Sequence, residues 1–271
     1  MGITEIILKS LEESIQPKRF LPFFLLYFLF SLCILIFSIP ALQVLPSIIL
    51  LEFTMADLTI VAVNVLALLV VFLIVCLVNL WFTGALICDV HKNKGFDKSL
   101  KHAKSLFPQM ALLSLIIFLF AIVSNLFREF GIIVKIVIDW VFMFSLVSII
   151  VKKDKFDTAL TRSYNIVKKD LVKTIAFLVI TYFISIAIFL FAMFAIAFAM
   201  APLSLTLMEI MPISGQLQAI PRQRLVQIIA LIFRSYPAFI LVSIIASLFF
   251  SIAYVFIHIS RTKYFLEKKR R

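Results

Sequence analysis

The sequence predicts an all-α, polytopic membrane protein with six transmembrane helices and amphipathic helices on its cytoplasmic surface. Hydrophobic residues make up 63% of the 271 positions, and the mean hydropathy is +1.15, far above that of a soluble domain. Apolar runs long enough to cross a hydrocarbon core of about 30 Å recur along the chain, separated by short basic segments. We therefore expect a single integral membrane domain, residues 1–271.

The first two spans follow an amphipathic N-terminal segment that carries several charges. The first apolar run, residues 20–39, is too long for the apolar part of a signal peptide, so we interpret it as a retained span. Pro40 and Pro46 predict a loop after it. The second run, residues 58–88, is long enough that it must tilt or project beyond the lipid.

Prolines also suggest the later boundaries. Pro108 suits the first turn of a third span, and a tight turn near residue 129 would return the chain as a fourth, antiparallel span. Pro202 predicts the end of the fifth span, and a longer loop and an amphipathic stretch over residues 222–234 precede the sixth. The six expected spans are residues 20–39, 58–88, 109–127, 132–151, 172–200 and 237–258.

Two basic segments that lead into spans share a sequence pattern. GFDKSLKHAKSLF begins at Gly95 and KFDTALTRSYNIV begins at Lys155, so Phe-Asp-x-x-Leu recurs at an offset of 60 residues. Helical periodicity places a largely apolar stripe opposite a cationic face, as in helices that lie in the lipid interface. We interpret the two as an internal repeat of surface helix plus span, with convergence as the alternative. The second helix is expected to continue unbroken from Phe156 into its span.

Charge predicts the orientation. Of the 26 Lys and Arg residues, 21 lie in the N-terminal segment, residues 89–107, residues 152–173 and the C-terminal tail. The positive-inside rule places these segments, and both termini, on the cytoplasmic side of the cell membrane. Membrane lipids with anionic head groups are therefore the expected partners, together with a membrane-protein partner, whereas no motif favours nucleic acid. The candidate lipid-interface residues are Arg162, Lys168, Lys169, Lys173, Lys101 and Lys104.

Four polar residues within the spans are candidates for an intramembrane site. Lys135 and Asp139 are separated by four residues in span four, so they share a helix face, and Lys135 is near enough to the outer end to reach the head groups. Asp139 is expected to face the bundle or a water-filled recess. A structural ion pair and a protonatable or cation-binding site are the two interpretations. Asn64 and Asn79 in span two are expected to form hydrogen bonds between helices.

Motifs of enzymes and metal sites are missing from the sequence. It contains no H-E-x-x-H, G-x-S-x-G or Walker A pattern, and the three histidines are far apart. The three cysteines, which lie in apolar runs without a C-x-x-C, are expected to be buried free thiols. We therefore expect no catalytic residue, no cofactor and no metal. Because all nine prolines lie in loops or near span ends, we also expect no broken transmembrane helix of the kind that forms many transporter sites.

The run ALTRSYNIVKKDLVKTIAFLVIT, which begins at Ala159, resembles a segment of the membrane domain attached to some glycerophosphoryl diester phosphodiesterases. Related six-span prokaryotic families, mostly of unknown function, share this segment, in which Ala-Leu-x-x-Ser-aromatic-x-x-Val-Lys precedes a span. The resemblance covers about residues 80–200. It implies a membrane module and carries over no catalytic residue, because the soluble catalytic barrel of such fusions has no counterpart here.

These observations favour a non-enzymatic membrane protein that acts through lipid or protein contacts at the cytoplasmic face. The alternative is a transporter or channel for a small solute that uses Asp139 and Lys135. A polar cavity that reaches Asp139 would favour transport, and a dry helix bundle would favour the first interpretation.

Overall fold

The computed structural model describes residues 2–49, 52–125, 131–210 and 222–270. All regular secondary structure in these ranges is α-helical. The helices are α1 Ile3–Ser14, α2 Pro17–Ile49, α3 Met55–Lys92, α4 Phe96–Asn125, α5 Gly131–Phe142, α6 Ser145–Lys152, α7 Phe156–Lys169, α8 Leu171–Ile210, α9 Arg222–Arg234 and α10 Tyr236–Arg270.

In the described part of the chain, five helices are long and apolar enough to cross a membrane. They contain Pro17–Ile48, Met55–Lys92, Phe96–Ser124, Leu171–Ala201 and Tyr236–Lys268. The outer surface of α3 is itself apolar, since Leu66, Leu69 and Leu73 are each about 60% exposed. Such a surface is suited to contact with lipid and unsuited to water. The chain is therefore a multi-pass membrane protein.

Prolines do not end the helices where the sequence predicted. Helix α2 continues through Pro40 and Pro46, and α8 continues through Pro202 to Ile210, so the loop after residue 39 and the helix end near residue 201 were wrong. Pro108 lies inside α4 and not in the first turn of a new helix. Long apolar helices tolerate proline because neighbouring groups and local adjustments satisfy the freed carbonyl. The turn predicted near residue 129 and the loop at 211–221 lie outside the described residues.

The fourth expected span contains a break. A continuous helix over residues 132–151 was predicted, but α5 ends at Phe142 and α6 begins at Ser145, so the expectation of unbroken helices was also wrong. The Ser163 hydroxyl of α7 donates to the Val141 carbonyl at 2.6 Å and accepts from the Phe144 N–H at 3.1 Å. One buried hydroxyl thus satisfies two main-chain groups that a helix break would leave unpaired.

The basic segment that begins at Phe156 does not continue without interruption into its span. Helix α7 ends at Lys169 and α8 begins at Leu171. Between them Asp170 adopts φ −131° and ψ 52°, which is outside the helical region. This interruption allows α7 and α8 to take different directions.

Contacts divide the chain into two compact units. The first contains residues 1–23, 77–188 and 251–271, and the second contains residues 24–76 and 189–250. In the first unit, Phe177 stacks on Tyr264 with ring centroids 4.3 Å apart, and Phe144 stacks on the same tyrosine at 5.6 Å. Ile6 and Ile7 of α1 belong to this core.

Helices α4 and α7 begin at equivalent positions of the shared sequence pattern. The first residue of α4 is Phe96 and the first residue of α7 is Phe156, which is 60 positions later. Their buried faces also correspond, because Ser99 and Ala103 of α4 are matched by Ala159 and Ser163 of α7.

In the second unit, side chains of α2 pack against α10. The Tyr236 hydroxyl lies 3.4 Å from Ser38 Oγ, and the rings of Tyr27 and Phe250 are 5.0 Å apart. Helix α9 covers the amphipathic stretch predicted over residues 222–234.

All three cysteines are free, but they differ in burial. Cys88 is buried, Cys33 is half-buried and Cys76 is exposed on α3. The prediction of buried thiols was therefore wrong for Cys76, which lies on the apolar outer surface of that helix.

Candidate functional site

The lysines predicted to meet lipid lie on the surface of the first unit. Lys101 and Lys104 are exposed on α4, Lys168 and Lys169 are exposed near the end of α7, and Lys173 is exposed in the first turn of α8. Among the described residues, none of these five lysines forms an ion pair. We call these five side chains the lysine face. Their ammonium groups can meet external anions without first breaking an ion pair.

Arg162, the remaining candidate for the lipid interface, is paired within the protein. Its Nε lies 2.6 Å from Asp154 Oδ2, and the Ser148 hydroxyl donates to the same carboxylate at 2.6 Å. This pairing connects α7 to the end of α6. Arg162 therefore contributes less free positive charge than the lysine face.

Asp170 is also neutralised from within the first unit. The Lys268 ammonium of α10 donates to its carboxylate and also lies 5.4 Å from the ring centroid of Tyr264. The hydrogen bond from Lys268 holds the pKa of Asp170 below its usual value of 3.8, and the nearby charges of Lys268 and Lys173 act in the same direction. Asp170 is thus ionised at neutral pH and joins the start of α8 to the end of α10.

A chain of four charges connects the N-terminal segment to two other basic segments. Lys263 Nζ lies 2.6 Å from Glu13 Oε1, and the second Glu13 oxygen accepts from Arg19. Arg19 Nε then lies 3.1 Å from Asp89 Oδ2, and both of these side chains are at most 10% exposed. The other Asp89 oxygen accepts from the Gly95 N–H at 2.9 Å. Each buried charge in this chain therefore has a partner of opposite sign.

These contacts bring all four basic segments together. Arg19 joins the N-terminal segment to the segment that begins at Asp89, and Lys263 joins the C-terminal tail to the N-terminal segment. Asp170 joins the segment 152–173 to the same tail through Lys268. The four segments that carry most of the positive charge in the sequence are therefore joined by ion pairs into one assembly.

A cavity of about 360 Å³ lies within this assembly, and we call it the basic cavity. Lys173 and Lys268 line it together with Glu267, and apolar walls come from three helices. The complete lining consists of Gly2, Ile3, Thr4, Ile6, Lys173, Ile180, Tyr264, Glu267 and Lys268. Cations and apolar surface thus line the same cavity. Such a lining suits an anionic amphiphile, which has a negative head group and an apolar chain.

The predicted intramembrane residue Asp139 has partners that the sequence did not suggest. Arg261 of α10 lies 2.9 Å from Asp139 Oδ2, and the Tyr182 hydroxyl of α8 donates to the same oxygen. Arg261 also donates to the Tyr182 hydroxyl at 2.9 Å. The side chain of Lys135, the partner expected from the sequence, lies outside the described residues.

Asp139 lines a second cavity, of about 310 Å³, which we call the Asp139 recess. Its polar lining consists of Asp139, His258 and Arg261, and the rest is apolar. Phe142 and Leu146, which lie on either side of the helix break, also line it. The apolar lining residues are Ile117, Ala121, Ile138, Phe142, Met143, Leu146 and Val147. The recess is therefore amphipathic and lies beside an interrupted helix.

The two asparagines have different roles. Asn79 Nδ2 donates to the Tyr254 hydroxyl of α10 at 3.0 Å, and the Thr83 hydroxyl lies 2.9 Å from the same oxygen. Asn64 Nδ2 instead donates to the Ile60 carbonyl of its own helix at 2.7 Å. Asn79 thus joins two helices, whereas the hydrogen bond from Asn64 stays within α3. Neither asparagine lines the Asp139 recess.

Comparison with models of protein families, with curated proteins and with solved structures found no match. The resemblance to a phosphodiesterase-associated membrane domain thus stays a prediction.

Two residues that shape the Asp139 recess and the helix break have roles that the sequence did not predict. Arg261 had been counted as part of the basic tail, and Ser163 as part of a motif, although each makes a specific polar contact inside the first unit.

Proposed function

We propose that this chain is a non-enzymatic protein of the cell membrane that binds anionic lipid head groups at its cytoplasmic face. The observation that carries the proposal is the lysine face, whose members are exposed while the neighbouring acids Asp89, Asp154 and Asp170 are neutralised by other cations. A lysine near an anionic membrane surface contributes roughly 1 kcal/mol to attraction. Five such lysines give a preference for anionic lipid that does not require a specific pocket.

Six crossings with both termini in the cytoplasm fit this proposal. The ion pairs between the basic segments support an even number of crossings between the start of α4 and α7, because groups in direct contact lie on one side of a membrane. Helix α4 supplies one crossing, and α5 with α6 supplies the other. Residues 131–152 extend for about 33 Å at 1.5 Å per residue if the two helices are nearly collinear, which is enough for a hydrocarbon core. The positive-inside rule then places the basic assembly in the cytoplasm.

The proposed internal repeat is also consistent with this arrangement. Helices α4 and α7 begin at Phe96 and Phe156, and each buries small residues on one face and exposes lysines on another. We interpret both as amphipathic helices at the cytoplasmic interface. The first copy continues into its span within α4, and the second is separated from its span at Asp170.

The test measures the lipids that surround the protein. Native membrane patches are extracted with an amphipathic polymer, and the anionic share of the lipid in each patch is compared with that of the whole membrane. Wild type should enrich anionic lipid, and Lys101→Gln with Lys168→Gln should reduce the enrichment severalfold. The control, Lys9→Gln with Arg234→Gln, removes the same charge from exposed positions outside the lysine face. This control should leave the enrichment of anionic lipid unchanged. Equal effects of the two double variants would contradict the proposal.

Passage of a small solute is a second candidate function, favoured by the Asp139 recess. Transporters often place their binding sites at interrupted helices with unpaired main-chain groups and a charged side chain nearby. Here Asp139 and the break before Ser145 line the same cavity. The main-chain groups at Val141 and Phe144, however, are satisfied by Ser163, which leaves fewer groups for a solute.

A measurement of proton flux in proteoliposomes tests the second candidate. Proton flux is followed with a trapped pH-sensitive dye for wild type, for Asp139→Asn and for a control, Asn64→Ala. The control changes another polar side chain of an apolar helix, one that donates within its own helix. Flux in wild type that is lost only in Asp139→Asn would favour transport. Liposomes as tight as protein-free controls for all three proteins would remove proton transport as a candidate.

A further inference from the structure

The basic cavity combines two features that a membrane phospholipid presents together. Lys173 and Lys268 supply ammonium groups to it, and Ile3, Ile6 and Ile180 supply apolar walls. We propose that it binds the phosphate of one phospholipid between the two lysines and the adjoining part of an acyl chain against the isoleucines. This inference rests on the proposed function, which it narrows from a general preference for anionic lipid to one site and one chemical group.

The polar and apolar ends of the cavity follow the same direction on two helices. On α8, Ile180 lies seven residues after Lys173, about 10 Å farther along the helix at 1.5 Å per residue. On α10, which approaches the basic assembly with its C-terminal end, Lys268 lies about one turn beyond Tyr264. Both helices therefore place a cation at the head-group end and apolar surface at the hydrocarbon end. A lipid whose phosphate binds the lysines would therefore place the upper part of its acyl chain beside Ile180.

The two lysines differ in their exposure and in the partners that already hold them. The Lys268 side chain is only 14% exposed, and it is held by the Asp170 carboxylate and by the ring of Tyr264. Lys173 is exposed and can close over a bound group. Because a phosphate has several acceptor oxygens, it can bind Lys173 and share Lys268 with Asp170.

Glu267 also lines the cavity and limits what can bind there. Its negative charge offsets part of the attraction from the lysines, so a small free anion gains little from this site. A phospholipid gains in addition from burying its chain against Ile3 and Ile180, at roughly 25 cal/mol per Å² of apolar surface. The site thus selects a phosphate that is attached to an acyl chain.

The experiment uses the full-length protein in detergent and counts bound lipid by native mass spectrometry. The probes are phosphatidylglycerol, a glucosyl diacylglycerol with the same acyl chains but no phosphate, and glycerol 3-phosphate, which has no chains. Wild type should retain one phosphatidylglycerol at least tenfold more tightly than either of the other probes. Equal retention of the glucosyl lipid would overturn the role of phosphate, and equal binding of glycerol 3-phosphate would overturn the role of the apolar wall.

Three variants locate the site. Lys173→Gln and Lys268→Gln should each weaken the single tight phosphatidylglycerol by about tenfold. Asp170→Asn breaks the same ion pair as Lys268→Gln but keeps the lysine, so it should bind phosphatidylglycerol at least as tightly as wild type. Unchanged binding in both lysine variants would overturn the proposed site. If that happened while Lys101→Gln with Lys168→Gln still reduced anionic enrichment, the general lipid function would stand and only this site would fail.

Discussion

Ser163→Ala tests whether one hydroxyl maintains the break between α5 and α6. The Ser163 side chain is fully buried, donates to the Val141 carbonyl and accepts from the Phe144 N–H. Alanine would leave both main-chain groups without this partner. Each unsatisfied buried group costs about 1–3 kcal/mol, and the helix ends can shift to recover part of the loss. We therefore expect the free energy of unfolding to fall by about 2–4 kcal/mol.

The assay is reversible unfolding in mixed micelles with increasing SDS, followed by tryptophan fluorescence. Trp140 lies in α5, close to the break, and reports on this region. Ser105→Ala is the matched control, because the exposed Ser105 hydroxyl donates to the His102 carbonyl of its own helix. That variant should stay within about 0.5 kcal/mol of wild type. If Ser163→Ala cost no more than Ser105→Ala, the hydroxyl would not be what maintains the break.

Two further predictions concern the charged contacts of the basic assembly. Asp89→Ala should lower the free energy of unfolding by about 3 kcal/mol in the same SDS assay. The reason is that it removes a partner of the buried Arg19 and the acceptor of the Gly95 N–H. A change below about 1 kcal/mol would mean that Arg19 is stabilised by other groups. Because the Lys268 hydrogen bond lowers the pKa of Asp170, the stability from this pair is present above pH 3.8 and is lost as the pH falls through the lower pKa of the folded state. Wild type should therefore lose more stability than Asp170→Asn in an acid titration below pH 4, and parallel curves would exclude this contribution.

Helix content and the long apolar spans could be predicted from the sequence because they depend on local composition. The same local signals failed at prolines, since Pro108 looks like a helix start although α4 already extends through the preceding basic segment. They failed again at Phe144, where neither glycine nor proline marks the break. The group that satisfies the break, Ser163, lies 19 residues away on another helix. A helix end that depends on a tertiary contact has no local signature.

In the candidate sites, too, the sequence predicted local features but not tertiary contacts. The exposed lysines, such as Lys101 and Lys168, could be identified from helical periodicity and charge. The partner of Asp139 could not, because Arg261 is 122 residues distant in a tail whose charges were all interpreted as facing the cytoplasm. Periodicity within one helix identifies a face, but it does not identify which helix meets that face.

The central claim is that the basic segments lie together on the cytoplasmic side, so that α5 and α6 form a sixth crossing. Single cysteines at Phe53, Lys101 and Lys169, in a background whose native cysteines are replaced by alanine, are exposed to an impermeant thiol reagent on intact cells. All three native side chains are exposed. Phe53→Cys should be labelled, whereas Lys101→Cys and Lys169→Cys should be labelled only after the membrane is permeabilised. Labelling of Lys169→Cys but not Lys101→Cys on intact cells would mean an odd number of crossings between them and would contradict the account.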